Sequence, residues 1–188
     1  MTTTFGFIVG SLRHGSYNQL VADTFQTLIP AQYATTKLAI AQLPYYNPDL
    51  ETDDPPVAWT AFRAELDQVD GVLFFSPEYN RDTPAVLKNA LDVASRPRGQ
   101  NLWAGKPALV VTTSPGSLGG YAANHSLRAA LTELDMPTLQ QPEAYIGNVL
   151  THLKGGEPYT PDSFEAGTMQ FFGVIVDAYI RFFEQLNK

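Results

Sequence analysis

The chain has 188 residues and no cysteine. That excludes disulfides, thiolate nucleophiles, iron–sulfur clusters and cysteine-ligated zinc. Basic charge is also scarce, 12 Lys and Arg against 19 Asp and Glu for a net charge of −7. A phosphate backbone is repelled by such a surface on average, so nucleic acid is not an expected partner. The three histidines, His14, His125 and His152, are scattered, and neither H-E-x-x-H nor G-x-S-x-G occurs. Zinc hydrolysis and a serine triad therefore lack their constellations, and no metal site is expected. A G-x-G-x-x-G fingerprint is missing, which disfavours a standard dinucleotide Rossmann site, and Ser16 stands where the Gly10-x4-Gly15 spacing of a Walker A loop calls for lysine. Long hydrophobic runs are absent as well. The most apolar segment near the C-terminus holds 11 uncharged residues between Glu165 and Asp177, short of the ~18 a membrane helix needs. The opening "MTTTFGFIVGS" lacks a basic n-region and has too short an apolar part for a signal peptide, so a cytoplasmic protein is expected.

What the chain does have is an apolar content of 44%, enough for one domain over residues 1–188 with a single substantial core. Short β-rich runs occur at Thr4–Gly10, Ala34–Ala41, Gly71–Ser76 and Pro107–Ser114, with a weaker one at Pro137–Gly147. Between them lie segments of helical spacing. Asn18–Ile29 aligns Leu20, Val21, Phe25 and Leu28, while Val57–Val69 aligns Trp59, Phe62, Leu66 and Val69. Thr83–Ser95, Ala122–Leu134 and Pro161–Leu186 continue the alternation. Five strands each followed by a helix predict an α/β fold, a parallel sheet covered by helices on both faces. In the flavodoxin-like strand order 2-1-3-4-5, ligands bind at the carboxyl ends of strands one and three, where the order reverses.

The loops at those two places are the oddest in the chain. "GSLRHGSYN", Gly10 to Asn18, gathers Ser11, Arg13, Ser16 and Asn18 just before a helix, whose N-terminal N–H groups and dipole favour an anion. Ser16 alone would read as a helix cap; Arg13 and Ser11 on the same loop favour anion binding. "SPEYN", Ser76 to Asn80, puts the ring of Tyr79 and the amide of Asn80 behind Pro77 and Glu78, a combination of stacking surface and edge hydrogen bonds suited to a planar heterocycle. Asp82 or Thr83 is expected to cap the next helix, with Pro84 as its first residue. After the fourth strand, "TSPGSLGGY" supplies Gly116, Gly119 and Gly120, which permit close backbone approach and positive φ.

Taken together, "GSLRHGSYN" and "PEYNRDTPAVLKNALDVASRP", with "LPYYNPDLE" and "SPGSLGG" between and after, closely resemble the NADPH-dependent FMN reductase family over nearly the whole chain. These are flavodoxin-like flavoproteins, three-layer sandwiches that include quinone, azo-dye and chromate reductases. The resemblance implies FMN as cofactor and NADPH or NADH as co-substrate. It implies that Ser11, Arg13, Ser16 and Asn18 hold the FMN phosphate, and that Pro77, Glu78, Tyr79 and Asn80 line the isoalloxazine and ribityl. Ser114, Gly116 and Gly119 would then approach the far side of the flavin. Arg81 stands where the family usually has a glycine or small residue; there a long cation either closes the pocket or attracts an anionic acceptor. Arg13 and Arg81 are candidates for the nicotinamide nucleotide's phosphate. No side chain here carries a hydride, so none is nominated as catalytic. The competing expectation is a non-enzymatic flavin-binding electron carrier or redox sensor. A homodimer or homotetramer is also implied, in keeping with the aromatic wealth of the last segment, where Phe164, Phe171, Phe172, Tyr179, Phe182 and Phe183 cluster. About half of these are expected in the core.

Overall fold

A computed structural model describes residues 2–187. Five strands, β1 (Thr4–Val9), β2 (Ala34–Lys37), β3 (Gly71–Ser76), β4 (Ala108–Thr113) and β5 (Ala144–Ile146), form one parallel sheet in the order β2-β1-β3-β4-β5. The helices are α1 (Tyr17–Leu28), α2 (Val57–Asp67), α3 (Ala85–Ala94), α4 (Tyr121–Glu133) and α5 (Ala166–Leu186). The central strands are buried on both faces, so their successive apolar residues divide between two cores. Phe5, Phe7, Leu73, Phe75, Leu109 and Val111 face α1 and α5. Ile8, Val72, Phe74, Ala108 and Val110 face the other side, with Trp59, Phe62, Leu87, Leu91 and Leu127 from α2, α3 and α4. Fully buried Tyr179 satisfies its hydroxyl on Pro107 O at 3.0 Å, and burial pushes its pKa upward.

Several boundaries differ from the sequence expectation. β2 stops at Lys37 because Leu38 and Ile40 turn under the sheet into the second core. β5 keeps only three residues of its expected span. Thr138 makes an isolated bridge to Ala108, and Pro142, which lacks an N–H, lies between that bridge and the short strand. A separate 3-10 turn, Pro161–Ser163, precedes α5. Phe164, Phe172, Tyr179 and Phe183 are core residues, whereas Phe171 is 40% exposed.

The cap of α3 is not the expected Asp82 or Thr83. Pro84 occupies the N-cap itself, extended at ψ 143°, and the helix starts at Ala85. Asp82 is engaged elsewhere: its Oδ1 accepts the Thr83 N–H and the Ser126 hydroxyl. At the other end of α3 it is Arg63, from α2, that donates to Val93 O and Ala94 O at 3.3 and 3.2 Å. Arg96 instead forms a two-pronged pair with Glu51 at 2.7 and 3.2 Å. With Asn89 bonding Leu43 O, Pro44 O and the Tyr46 N–H, this pair pins the loop after β2 against α3.

Arg96 and the Tyr46 hydroxyl hold the Glu51 carboxyl below its ordinary pKa, and the Ser126 hydroxyl and Thr83 N–H do the same for Asp82. A carboxyl whose folded pKa is depressed stabilises the fold above its unfolded pKa of about 4, and that contribution disappears as pH falls through the folded value. Urea midpoints are therefore expected to fall from pH 6 toward pH 3, and Glu51→Gln to flatten the fall. An equally steep profile in the variant would remove Glu51 from the account.

Candidate flavin site

The carboxyl ends of β1, β3 and β4 open into one cleft of about 220 Å³, lined by Ser11, Arg13, Tyr17, Asn18, Pro77, Glu78, Tyr79, Thr113, Ser114 and Pro115. Seven of the residues singled out in the sequence thus meet in space: Ser11, Arg13, Asn18, Pro77, Glu78, Tyr79 and Ser114. Their convergence follows from the strand order, since β1 pairs with β3 and β3 with β4, so the three following loops leave the sheet side by side.

Each loop is held by its own bonds. Ser16 is the N-cap of α1, its Oγ accepting the Gln19 N–H at 3.3 Å. It lines a wider groove of about 760 Å³ on the outer side of the loop, shared with Arg13, His14, Tyr17 and Tyr159. The Arg13 guanidinium lies 4.7 Å from the Tyr17 ring centre and donates to His14 O at 3.0 Å. Asn18 is buried and reaches across to β4, its Nδ2 donating to Thr113 O at 3.3 Å.

Glu78 does more than line the cleft. Its Oε2 accepts the N–H groups of Ala122 and Ala123, at 2.8 and 3.2 Å, at the start of α4. A carboxylate there satisfies two end donors and meets the positive end of the helix. Asn80 and Arg81 form the turn beyond it, outside the cleft lining.

Gly116 and Gly119 also stand off the cleft, and their glycine character has another cause. Gly119 has φ +61° and faces the backbone of β5's end, where a Cβ would fall 2.8 Å from Gly147 N and from Tyr145 C. Gly116 O accepts from Asn148 N at 3.0 Å, and its own N–H goes to Ser114 Oγ at 2.9 Å. The two glycines shape the loop that presents Ser114. Tyr17, Thr113 and Pro115 line the cleft without having been singled out. All three lie inside the quoted loops, but only the strand order shows that these loops face one another.

Two side-chain atoms decide whether the cleft is built for a polar guest. Asn18 Oδ1 and Thr113 Oγ1 are both buried and both lack a hydrogen-bond partner. A buried, unpaired polar atom costs about 1–3 kcal/mol, and native proteins leave few of them. Both belong to residues lining the cleft. The residues present therefore fit a cofactor with donors and acceptors along its length and an anionic end near Arg13 and the α1 N-terminus.

Fold and cleft together define a doubly wound protein of the flavodoxin architecture with a polar cleft at its topological switch point. The chain belongs to the NADPH-dependent FMN reductase family, whose model matches residues 3–151. It is 53% identical over 140 residues to a quinone reductase of Pseudomonas putida, covering 74% of this chain and 75% of that one. A 2-hydroxy-1,4-benzoquinone reductase of a Burkholderia species is 42% identical over 146 residues, covering 78% and 79% of the two chains. Among solved structures, the flavoenzyme NAD(P)H:(acceptor) oxidoreductase FerB of Paracoccus denitrificans superposes with a TM-score of 0.87 at 36% identity, over 97% of this chain and 98% of that chain. The protein is accordingly an FMN-dependent oxidoreductase with a nicotinamide nucleotide as electron donor. Among the described residues, no helix is long and apolar enough to cross a membrane.

Proposed function

We propose that this chain passes reducing equivalents from NADPH or NADH to quinones and other electron-poor acceptors, external flavin, azo dye and chromate among them, through FMN held in the cleft. The observation that carries the reading is the pair of unpaired buried atoms, Asn18 Oδ1 and Thr113 Oγ1, at residues lining a cleft between the β1, β3 and β4 loops. FMN bound there would supply the hydride chemistry that links the nicotinamide to the acceptor, the two using the site in turn. The chain's own part is to bind, orient and polarise. Ser11, Arg13, Ser16 and Asn18 would hold the phosphate end. Pro77, Glu78, Tyr79 and Asn80 would flank the ring and ribityl, with Tyr79, 49% exposed, offering a stacking face. Ser114 closes the far side, on a loop shaped by Gly116 and Gly119. Glu78 acts chiefly by fixing the β3 loop to α4.

Residues 1–188 would form one domain. Exposed Leu118, Tyr121, Phe171 and Val174 support association into a homodimer or homotetramer. A cytoplasmic setting, where reduced nicotinamide nucleotide is at hand, suits the reading, as does the acidic surface, which offers nothing to nucleic acid. The test is an anaerobic titration of FMN-loaded protein with NADPH, followed by flavin absorbance. Direct two-electron bleaching, reversed by benzoquinone, is expected. Bound flavin that NADPH leaves oxidised would identify an electron carrier or sensor instead.

A further inference from the structure

The turn just beyond cleft-lining Glu78 carries a cation in a conformation that suits glycine. Tyr79 and Asp82 exchange N–H to O bonds of 3.1 Å in both directions. Between them Asn80 and Arg81 both take positive φ, 53° and 68°. This is the left-handed geometry of a two-residue hairpin turn, in which Asn followed by Gly is the favoured pair. Asparagine tolerates the first position, but arginine at the second is strained. Strain of this kind persists where the surroundings fix it, and it marks candidate functional positions.

Packing does not explain the arginine, because its side chain is 70% exposed. Its Nη1 donates to Glu78 Oε1 at 3.1 Å, and among the described residues Nε and Nη2 have no acceptor. Glu78 is itself immobilised by the two α4 N–H groups on its other oxygen. That helix end offsets the carboxylate's charge, so the pairing aims the guanidinium without cancelling it. The other nearby acid, Asp82, is already occupied by Ser126 and the Thr83 N–H. Arg81 thus sets a cation one salt bridge from cleft-lining Glu78, on a chain whose net charge is −7.

We propose that Arg81 is a specificity-determining residue, held at the cleft mouth to favour electron acceptors that carry an anionic group, such as ionised hydroxyquinones and quinone sulfonates or carboxylates, over uncharged quinones. The proposal rests on the reductase reading above. The planar guanidinium edge left open by Glu78 matches a carboxylate or sulfonate. Because the group faces solvent, its contribution is that of an exposed ion pair, about fivefold in relative affinity, and salt screens it.

The test compares kcat/KM of the FMN-loaded enzyme for 1,2-naphthoquinone-4-sulfonate and for 1,2-naphthoquinone at low ionic strength. The variants are Arg81→Asn, which suits the left-handed turn, and Arg81→Lys, which keeps the charge. The sulfonate-to-neutral ratio is expected to fall about fivefold in Arg81→Asn and to survive in Arg81→Lys. The wild-type ratio is expected to collapse in high salt. A readout without turnover is the Kd of the sulfonate for the oxidised holoprotein, followed by perturbation of flavin absorbance, which is expected to weaken by the same factor. A ratio unchanged in Arg81→Asn overturns the proposal alone. So does a defect confined to flavin reduction by NADPH, which would assign Arg81 to the dinucleotide. Wild-type protein that reduces neither quinone overturns this proposal and the reductase reading together.

Discussion

Gly119→Ala is expected to destabilise the protein by roughly 3 kcal/mol, combining a left-handed backbone cost of about 1–2 kcal/mol with an overpacking cost of about 1–3 kcal/mol. The position has φ +61°, and a methyl group there would sit 2.8 Å from Gly147 N, 2.8 Å from Tyr145 C and 3.0 Å from Ile146 N. All three are backbone atoms, so no flexible side chain can swing aside. Either the loop after β4 moves away from β5 or β5 leaves the sheet, and both displace Ser114 from the cleft. The melting temperature should drop on the order of 10 °C, and FMN binding should weaken with it. Gly99→Ala is the control: φ is +84°, but nothing lies within 4 Å of the added carbon, so only the conformational cost applies. Equal melting temperatures for the two variants would mean that close packing on β5 is not why Gly119 is glycine.

Asn18→Leu is expected to weaken FMN binding about 10- to 100-fold while the apoprotein keeps its stability within about 1 kcal/mol. The two effects separate because the amide is only half used without a ligand. Its Nδ2 makes one long bond to Thr113 O at 3.3 Å, and its Oδ1 makes none. Leucine forfeits the weak bond but also removes an unpaired buried oxygen, and these nearly cancel. With FMN bound, a ribityl hydroxyl beside the phosphate would donate to that oxygen, since the phosphate itself offers only acceptors, and leucine leaves that hydroxyl unpartnered. Fluorescence titration of the apoprotein and a thermal melt measure the two quantities independently. An unaltered affinity would make Asn18 a strut between α1 and β4 and nothing more.

The fold was legible in the sequence because its strongest signals are local. Runs such as "GVLFFS" and "ALVVTT" declare central parallel strands, and the strand order follows from a small set of doubly wound topologies. The unusual loops then fall at the switch point, which is why seven of the singled-out residues line one cleft. What escaped was long-range pairing. Nothing near Glu78 in the chain shows that its carboxylate serves the N–H groups of Ala122 and Ala123, 44 and 45 residues away. Arg96 lies just past the end of α3, yet its guanidinium pairs with Glu51, 45 residues away, and it is Arg63 of α2 that takes the carbonyls at the helix end. Gly119 reads as a cofactor-facing glycine, yet the atoms that forbid its side chain belong to residues 145–147. Propensity and periodicity describe a residue's neighbours in the chain, whereas these contacts exist only after the sheet has formed.

We propose that the loops after β1, β3 and β4 form an FMN site with its phosphate at Ser11, Arg13 and Ser16. Calorimetric titration of the apoprotein with FMN and, separately, with riboflavin tests it most directly. One FMN per chain is expected, bound about 100-fold more tightly than riboflavin, since charge-assisted bonds to a phosphate contribute about 1.5–3 kcal/mol each. Equal affinity for the two, or binding of neither, would contradict the assignment of the β1 loop as the phosphate cradle.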